Sequence, residues 1–135
     1  MREIKFREIK FRAWDKVCKP NRIKTWEQLL AQYQLTHVFV SDYFILMQYT
    51  GLKDKNGKEI YEGDIVSFED AECDAEGYHD NVFLNRGVVF YDEVSMCYYF
   101  SNRQTVDMED LYIPTDAEII GNIYENPELL EEVKE

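Results

Sequence analysis

The chain has 135 residues, of which 45% are hydrophobic and 15% are aromatic. This length fits one domain with room for a small second lobe, and the composition excludes a chain that is disordered throughout. Fifteen Lys and Arg residues stand against 27 Asp and Glu residues, which gives a formal net charge of -12. Direct nucleic-acid binding is therefore not expected, since it needs clustered cations, and no apolar run reaches the roughly 18 residues of a membrane span.

The charge is divided unevenly between the start of the chain and the rest. Residues 1–26 carry nine Lys or Arg against three acidic residues, a net charge of +6. Residues 27–135 carry six against 24, a net charge of -18. We interpret the start as a basic arm that could contact phosphate, the acidic body of its own chain or a neighbouring chain. A solvated or self-docked arm is the favoured interpretation, because charge asymmetry commonly sets solubility and association.

The cysteines and the first residues bear on the compartment. Cys18, Cys73 and Cys97 are an odd number without a Cys-x-x-Cys pair, which predicts reduced thiols. The chain starts with charged residues rather than with the apolar core of a secretion signal. These features predict a cytoplasmic protein.

The sequence Arg-Glu-Ile-Lys-Phe occurs twice at the start, at residues 2–6 and 7–11. Side chains in a strand change faces at every residue, so a repeat of five places the apolar residues of the two copies on opposite faces. We therefore expect the first copy to be an addition outside the core. The second copy continues into a predicted strand with Ile9, Phe11 and Ala13 on one face.

The first half of the chain alternates helix and strand signals. Residues 15–24 are predicted to form a loop, and Thr25 with Gln28 three residues later has the pattern of a capping box. Apolar residues then follow at the spacing of an amphipathic helix: Trp26, Leu29, Leu30 and Tyr33. Two predicted strands and a strong hairpin-turn signal come next: Leu35–Val40, Tyr43–Tyr49 and the pair Asn56–Gly57.

The second half is predicted to consist mostly of strands. A returning strand, Glu59–Phe68, is interrupted by a turn or bulge at Gly63–Asp64, and the acidic stretch 69–80 is predicted to be an exposed loop. The remaining predicted elements are a hairpin of Val82–Tyr91 and Val94–Ser101, a loop over 102–117, a strand Glu118–Tyr124, and a C-terminal helix that Asn126 caps and Pro127 begins.

These elements indicate a mainly β fold, an open barrel or sandwich, with one or two short peripheral helices. We divide the chain into an N-terminal strand-and-helix segment, 1–42, and a β-barrel-like domain with the C-terminal helix, 43–135. The first segment begins with a basic extension over residues 1–7.

No constellation of residues indicates catalysis or a bound metal. The oxygen-bearing side chains from Asp54 to Glu59 are spaced like part of a calcium loop, but such a loop needs about 12 residues and more carboxylates, so we interpret the segment as the hairpin turn. Cys73 and His79 lack the second pair that zinc sites use. A cysteine nucleophile activated by His37 or His79 has no local signature. We predict no catalytic residue, no metal site and no cofactor.

Aromatic residues cluster in the predicted hairpin, from Phe90 to Phe100. In a basic groove they would suit single-stranded nucleic acid, but Arg86 and Arg103 are the nearby cations, so core packing or a subunit interface is favoured. The residues predicted to form contacts lie on the basic arm, on this hairpin and on the apolar side of the C-terminal helix: Arg2, Lys5, Arg7, Lys10, Arg12, Tyr98, Phe100, Leu129, Leu130 and Val133.

Three segments of the chain resemble the YopX-like family of phage and prophage proteins. They are Glu8–Asp15, Ile119–Leu130 and the long central segment Leu46–Val66, which includes Tyr-Thr-Gly-Leu-Lys-Asp-Lys-Asn-Gly-Lys-Glu-Ile-Tyr-Glu-Gly-Asp. The resemblance implies a mostly β protein with a small SH3-like barrel in its C-terminal part, encoded by a phage or prophage and acting in the bacterial cytoplasm. It implies no activity and no catalytic residues. Against the family pattern, Met1–Phe6 resembles an extra copy and residues 69–81 a variable insertion.

The sequence thus predicts a non-catalytic protein-binding or assembly module that forms a homo-oligomer or binds a host protein. One alternative is an acidic mimic of nucleic acid that inhibits a host DNA-binding protein, because residues 27–135 carry a net charge of -18. The other alternative is an uncharacterised enzyme, which would need a pocket lined by perturbed carboxylates or a His–Cys pair.

Overall fold

The computed structural model describes residues 8–73, 79–93, 97–101 and 116–131. The fold is mainly β, with a curled half-barrel sheet and a few short helices, which confirms the predicted fold class. The strands are β1 (Phe11–Asp15), β2 (Arg22–Lys24), β3 (Phe44–Lys53), β4 (Glu59–Tyr61), β5 (Asp64–Cys73), β6 (His79–Asp92), β7 (Cys97–Ser101) and β8 (Glu118–Asn122). The helices are α1 (Trp26–Gln32), α2 (Leu35–Val40) and α3 (Glu128–Glu131).

The described strands form two antiparallel sheets of four strands each. Their order is β2-β1-β3-β4 in the first sheet and β7-β6-β5-β8 in the second. Strand β1 pairs with β3 in a register that places Ala13 opposite Leu46 and Arg12 opposite Met47. Residues directly opposite each other share a face, so these two pairs mark the two faces of the first sheet.

The helices α1 and α2 cover one face of the first sheet. Ala13 of β1 is buried there in a cluster with Leu29 of α1, Val38 of α2 and Phe44 of β3. Small Ala13 at this position lets both helices pack close to the strand. This cluster is the core of the N-terminal part of the fold.

The other face of the first sheet packs toward the second half of the chain. Met47 and Tyr61 lie in its buried cluster, and the ring of Trp14 stacks on Tyr124 with centroids 5.6 Å apart. A third cluster surrounds Ile60 of β4 and contains Val66, Phe68, Val89 and Ala117. Strand β4 therefore contributes neighbouring residues to two cores.

The predicted start of the first helix is confirmed. Thr25 Oγ1 accepts the Gln28 N–H at 3.2 Å, and Gln28 Oε1 accepts the Thr25 N–H at 2.9 Å. This capping box satisfies two backbone donors at the helix start and contributes about 1 kcal/mol.

The two predicted glycine turns are also confirmed. Gly57 has a φ of +82° between β3 and β4, and Gly63 has a φ of +85° between β4 and β5. Glycine adopts this left-handed backbone without strain. The two turns fold β4 and β5 back, so that polar side chains of the central segment meet β1.

The prediction of a strand over Leu35–Val40 is wrong, because these residues form α2. The Val38 N–H donates to the Gln34 carbonyl at 3.1 Å, and the Val38 side chain is 1% exposed. Leu35, Val38 and Phe39 also fall at i, i+3 and i+4, which is a helical spacing. Local β-branched residues favoured a strand, and packing on α1 and the sheet overrides that preference.

The prediction of a loop over 69–80 is wrong at both ends. Strand β5 continues to Cys73, and β6 begins at His79. Pairing runs from Glu69 opposite Leu84 to Cys73 opposite His79. An antiparallel pair satisfies its backbone hydrogen bonds whatever its side chains, so an acidic stretch can extend a hairpin into solvent.

Two further boundaries differ from the prediction. Residues 22–24, predicted as loop, form β2 on the edge of the first sheet. Strand β8 ends at Asn122 rather than at Tyr124, because Asn122 Oδ1 accepts the N–H groups of Tyr124 at 3.0 Å and Glu125 at 2.9 Å. This side-chain turn ends the strand.

Removal of Met1–Phe6 is expected to leave the fold intact, since β1 begins at Phe11, the last residue of the second copy of the repeat. We expect the melting temperature to change by about 3 °C at most, measured by circular dichroism. Removal of Met1–Lys10 is the matched control, and it should lower the melting temperature further because Lys10 is 9% exposed and ion-paired. A large loss of stability on the shorter deletion contradicts the prediction.

Candidate interaction surface

The central segment Leu46–Val66 lies against β1, and its polar side chains hold that strand. Lys10 forms ion pairs with Glu59 and, at 3.4 Å, with Glu8. Its Nζ also lies 4.9 Å from the centroid of the Tyr49 ring. The hydrogen bond with Glu59 raises the pKa of Lys10 above its usual range, although burial opposes the rise. Lys10 is therefore charged and anchored within its own chain.

Arg12 of β1 forms a buried ion pair with Asp64 of β5, and the pair joins the two sheets. Arg12 Nη2 lies 2.6 Å from Asp64 Oδ1, and the two side chains are 14% and 0% exposed. Asp64 Oδ2 accepts the Tyr61 N–H at 2.8 Å, and the Tyr61 ring centroid lies 4.9 Å from the Arg12 guanidinium carbon. Burial raises the pKa of Asp64, and the Arg12 charge opposes that rise. Burial also raises the pKa of Tyr61 to about 12.

The Asp54 carboxylate links the β3–β4 turn to β8 through hydrogen bonds. Its Oδ1 accepts the N–H groups of Asn56 and Lys58, both at 2.9 Å, and its Oδ2 accepts the Ile119 N–H at 3.1 Å. Burial by itself would raise the pKa of Asp54, but the three backbone donors hold it below its usual value. These bonds occupy the oxygens that calcium would need, which favours the hairpin-turn interpretation. Within the described residues, no group of three or more His, Cys, Asp or Glu is placed to hold a metal ion.

Two more polar side chains of the central segment, those of Thr50 and Glu62, form hydrogen bonds with its backbone. The Thr50 hydroxyl donates to the Ile60 carbonyl at 2.8 Å and accepts the Leu52 N–H at 3.1 Å. Glu62 Oε1 accepts the Gln48 N–H at 2.8 Å. The polar pattern of the central segment is thus explained by turns, strand ends and sheet contacts.

A polar groove of about 330 Å³ lies beside the Arg12–Asp64 pair. Four of the five charged residues in its lining have partners, because Asp64 pairs with Arg12, Glu59 with Lys10, and Glu125 accepts the Asn122 side-chain amide at 2.9 Å. Gly121 lines the groove, and a Cβ there would lie 2.5 Å from Asn126 Oδ1. Most charges beside the groove are therefore already paired, and Gly121 and Asn126 are in close contact.

Helices α1 and α2, and the turn after α2, expose large apolar side chains. The exposed fractions lie between 40% and 82% for these residues, which we call the helical face: Leu30, Leu35, Phe39, Val40 and Tyr43. Val40 and Tyr43 border an open depression of about 590 Å³ at the end of α2. Exposed apolar side chains that border one depression, as Val40 and Tyr43 do, are typical of interaction sites on proteins in water.

Aromatic side chains and the buried cluster around Ala13 and Leu29 pack against residues of the helical face. Phe39 meets Phe11 of β1 edge to face, with ring centroids 5.2 Å apart. The His37 ring lies 5.8 Å from the Tyr43 ring and 6.1 Å from the Phe44 ring. These contacts hold the exposed rings in position before any partner binds.

The helical face also lies in the part of the chain with the fewest charges. Residues 26–43 contain Glu27 and Asp42 as their only charged residues at neutral pH, with His37 taken as neutral. The chain as a whole contains 42 charged residues in 135. This low charge, together with the exposed apolar side chains, is typical of the centre of a protein–protein interface.

The ten residues predicted to form contacts fall into three groups in the structure. Lys10 and Arg12 are engaged in the ion pairs described above, so these two residues contact acidic groups of their own chain. Leu129 and Leu130 of α3 are half-buried, and the Leu129 carbonyl accepts a hydrogen bond from Arg86 at 3.2 Å. The others lie outside the described residues or side chains: Arg2, Lys5, Arg7, Tyr98, Phe100 and Val133.

The helical face was not among the predicted contact residues. The strand prediction for Leu35–Val40 placed its side chains on alternate faces of a sheet, where no continuous exposed surface follows. One signal in the sequence could have pointed to it, the scarcity of charge over residues 26–43.

Comparisons with known proteins agree with the fold. The model of the family described as "YopX protein" matches residues 10–131. Protein EF1440 from Enterococcus faecalis has a crystal structure similar to this one, with a TM-score of 0.50 and 24% sequence identity over 91% of this chain and 98% of that chain. No curated protein matches the sequence. Each helix in the described residues is too short to cross a membrane.

Proposed function

The chain belongs to the YopX protein family, and we propose that it is a non-catalytic module that binds protein surfaces and assembles with itself. We further propose that it is encoded by a phage or prophage and acts in the bacterial cytoplasm, as the family resemblance implies. The observation that carries the proposal is the helical face, since large apolar side chains exposed on packed helices gain free energy when a partner covers them.

The roles of the central segment support a binding function over catalysis. Its acidic residues stabilise the fold: Asp54 holds the turn, Asp64 pairs with Arg12, and Glu62 accepts a backbone N–H. A catalytic acid or base needs a side chain that faces substrate. Groups used for backbone and sheet contacts are poorly placed for that work.

Sedimentation equilibrium of the full chain tests the proposal. Over about 1–200 μM protein we expect an average mass that rises above that of one chain, as for an interface with a micromolar dissociation constant. A single-chain mass at every concentration would contradict self-assembly. A contact that buries about 1,000 Å² or more should then be visible in a crystal of the assembled protein.

The acidic-mimic alternative predicts a different partner and a different salt response. The net charge of -18 over residues 27–135 is what favours it. A mimic would bind a purified DNA-binding protein of the host at low salt, lose it above about 0.5 M salt, and be displaced by duplex DNA. Competition by DNA would support the mimic and count against a module that works through an apolar face.

A further inference from the structure

We propose that the helical face is a two-fold symmetric interface, at which a second copy of this chain docks through the same residues. The inference rests on the proposed self-assembly and adds its location. The proposed occupant of the face formed by Leu30, Leu35, Phe39, Val40 and Tyr43 is the same face of a second copy.

Charge is the first argument for a second copy. The chain has a net charge of -12, so two copies repel each other at most relative orientations. In a two-fold contact each patch faces itself, and any charge in the patch faces its own kind. Residues 26–43 hold two charged residues, Glu27 and Asp42, so this region can meet its own copy at low electrostatic cost.

The same composition disfavours other occupants. A basic arm or a basic partner needs a cluster of carboxylates, and residues 26–43 supply two. Helices that lie on anionic membranes carry Lys and Arg along their polar side, and residues 26–43 contain neither. An apolar partner of low charge fits the face, and the opposite copy of the face has those properties.

Area and rigidity are the second argument. At their exposed fractions the five side chains present on the order of 400 Å² of apolar surface, if an aromatic side chain covers about 200 Å² and an aliphatic one about 100 Å² in full. Two copies then supply about 800 Å², and the residues around the face would supply the rest of the roughly 1,000 Å² that specific interfaces need. The Phe39 ring is already held against Phe11 at 5.2 Å, so docking orders few additional side chains.

Substitution of Val40 tests the proposed interface with little effect on the core, because Val40 is 82% exposed and lies at the end of α2. We expect Val40→Glu to raise the dissociation constant of the dimer about ten-fold or more, measured by sedimentation velocity. Leu30→Glu on α1 should have the same effect. Leu84→Glu is the matched control, since Leu84 is 74% exposed on β6, and it should change the constant by about two-fold at most.

The results distinguish a wrong location of the interface from the absence of self-assembly. If the wild-type chain dimerises and Val40→Glu and Leu30→Glu dimerise equally well, the interface lies elsewhere and the proposed self-assembly survives. If the wild-type chain stays monomeric, the self-assembly itself fails. Melting curves of all variants check that each is folded. Raising the salt to about 1 M should leave the wild-type dissociation constant unchanged or lower it, because an apolar contact is not screened and the repulsion between two acidic chains is; a ten-fold rise would overturn the apolar interface.

Discussion

Arg12→Met is expected to lower the free energy of unfolding by about 3–5 kcal/mol at pH 7. The variant leaves Asp64 at 0% exposure without its cation, and removal of one partner from a buried ion pair is costly because the other charge stays desolvated. Urea denaturation followed by tryptophan fluorescence measures the change. The matched control is Lys55→Met, which breaks an ion pair with Glu118 whose partners are 49% and 42% exposed, and which should cost about 0.5 kcal/mol at most.

The Arg12→Met deficit should shrink as the pH falls. Burial raises the pKa of Asp64 in the folded protein, and loss of the Arg12 charge, which opposes the rise, lets it rise further. A carboxyl whose pKa is higher folded than unfolded binds its proton more tightly in the folded state, so its destabilising effect is full above the folded pKa and disappears below the unfolded pKa. The difference between variant and wild type should therefore be smaller at about pH 5 than at pH 7.

A double variant separates the charge from the packing. In Arg12→Met with Asp64→Asn, the asparagine oxygen still accepts the Tyr61 N–H, and no charge stays buried. We expect it to recover about half or more of the loss, because neutral replacements of buried ion pairs are commonly tolerated. The buried Arg12 Nε lacks a hydrogen-bond partner in the described part of the chain, which makes the native pair less favourable than a fully satisfied one. Equal loss in single and double variants at both pH values would contradict this account.

Asp54→Ala should be the next most damaging change, with a loss of about 3 kcal/mol. Three backbone N–H groups lose their acceptor, and one of them, on Ile119, belongs to β8. The β3–β4 turn then loses part of its attachment to the second sheet. Chemical denaturation measures the loss, and Asp42→Ala, at an exposed position, is the control expected to stay within about 0.5 kcal/mol.

The contribution of Asp54 to the free energy of unfolding depends on pH in the opposite sense to that of Asp64. The backbone donors hold the pKa of Asp54 below its usual value despite burial, so the folded state favours the ionised form. Its stabilisation is complete above the unfolded pKa of about 3.9 and is lost as the pH falls through the folded pKa. Wild type and Asp54→Ala should therefore converge in stability below about pH 4. A constant difference down to pH 2 would argue against the hydrogen-bonded carboxylate as the cause.

Features governed by neighbouring residues could be predicted from the sequence. The Thr25–Gln28 capping box and the Gly57 turn depend on groups within about four residues of each other, and both are present as predicted. The alternation also predicted that Ile9, Phe11 and Ala13 share a face; Phe11 and Ala13 lie toward the helices, whereas Ile9 precedes β1 and is 68% exposed. Short-range backbone geometry is encoded locally, which is why these predictions hold.

Features governed by distant contacts could not be predicted. The run Leu35–Val40 has signals for both strand and helix, and its burial against Leu29 and the sheet decides for helix. Arg12 and Asp64 are separated by 52 residues, so no local pattern shows that they meet. The helical face was not predicted for the same reason, because its residues can be grouped only when Leu35–Val40 is known to form a helix.

The bond from Ile119 to Asp54 spans 65 residues, and this separation bears on the order of events during synthesis. The Asn-Gly turn can close early, because its strands emerge together and its contacts are short-range. The Asp54 carboxylate has this partner only after residue 119 has been synthesised. A nascent chain that stops short of β8 would thus hold the hairpin without this bond, and the cooperative unit would be completed only once β8 has left the ribosome.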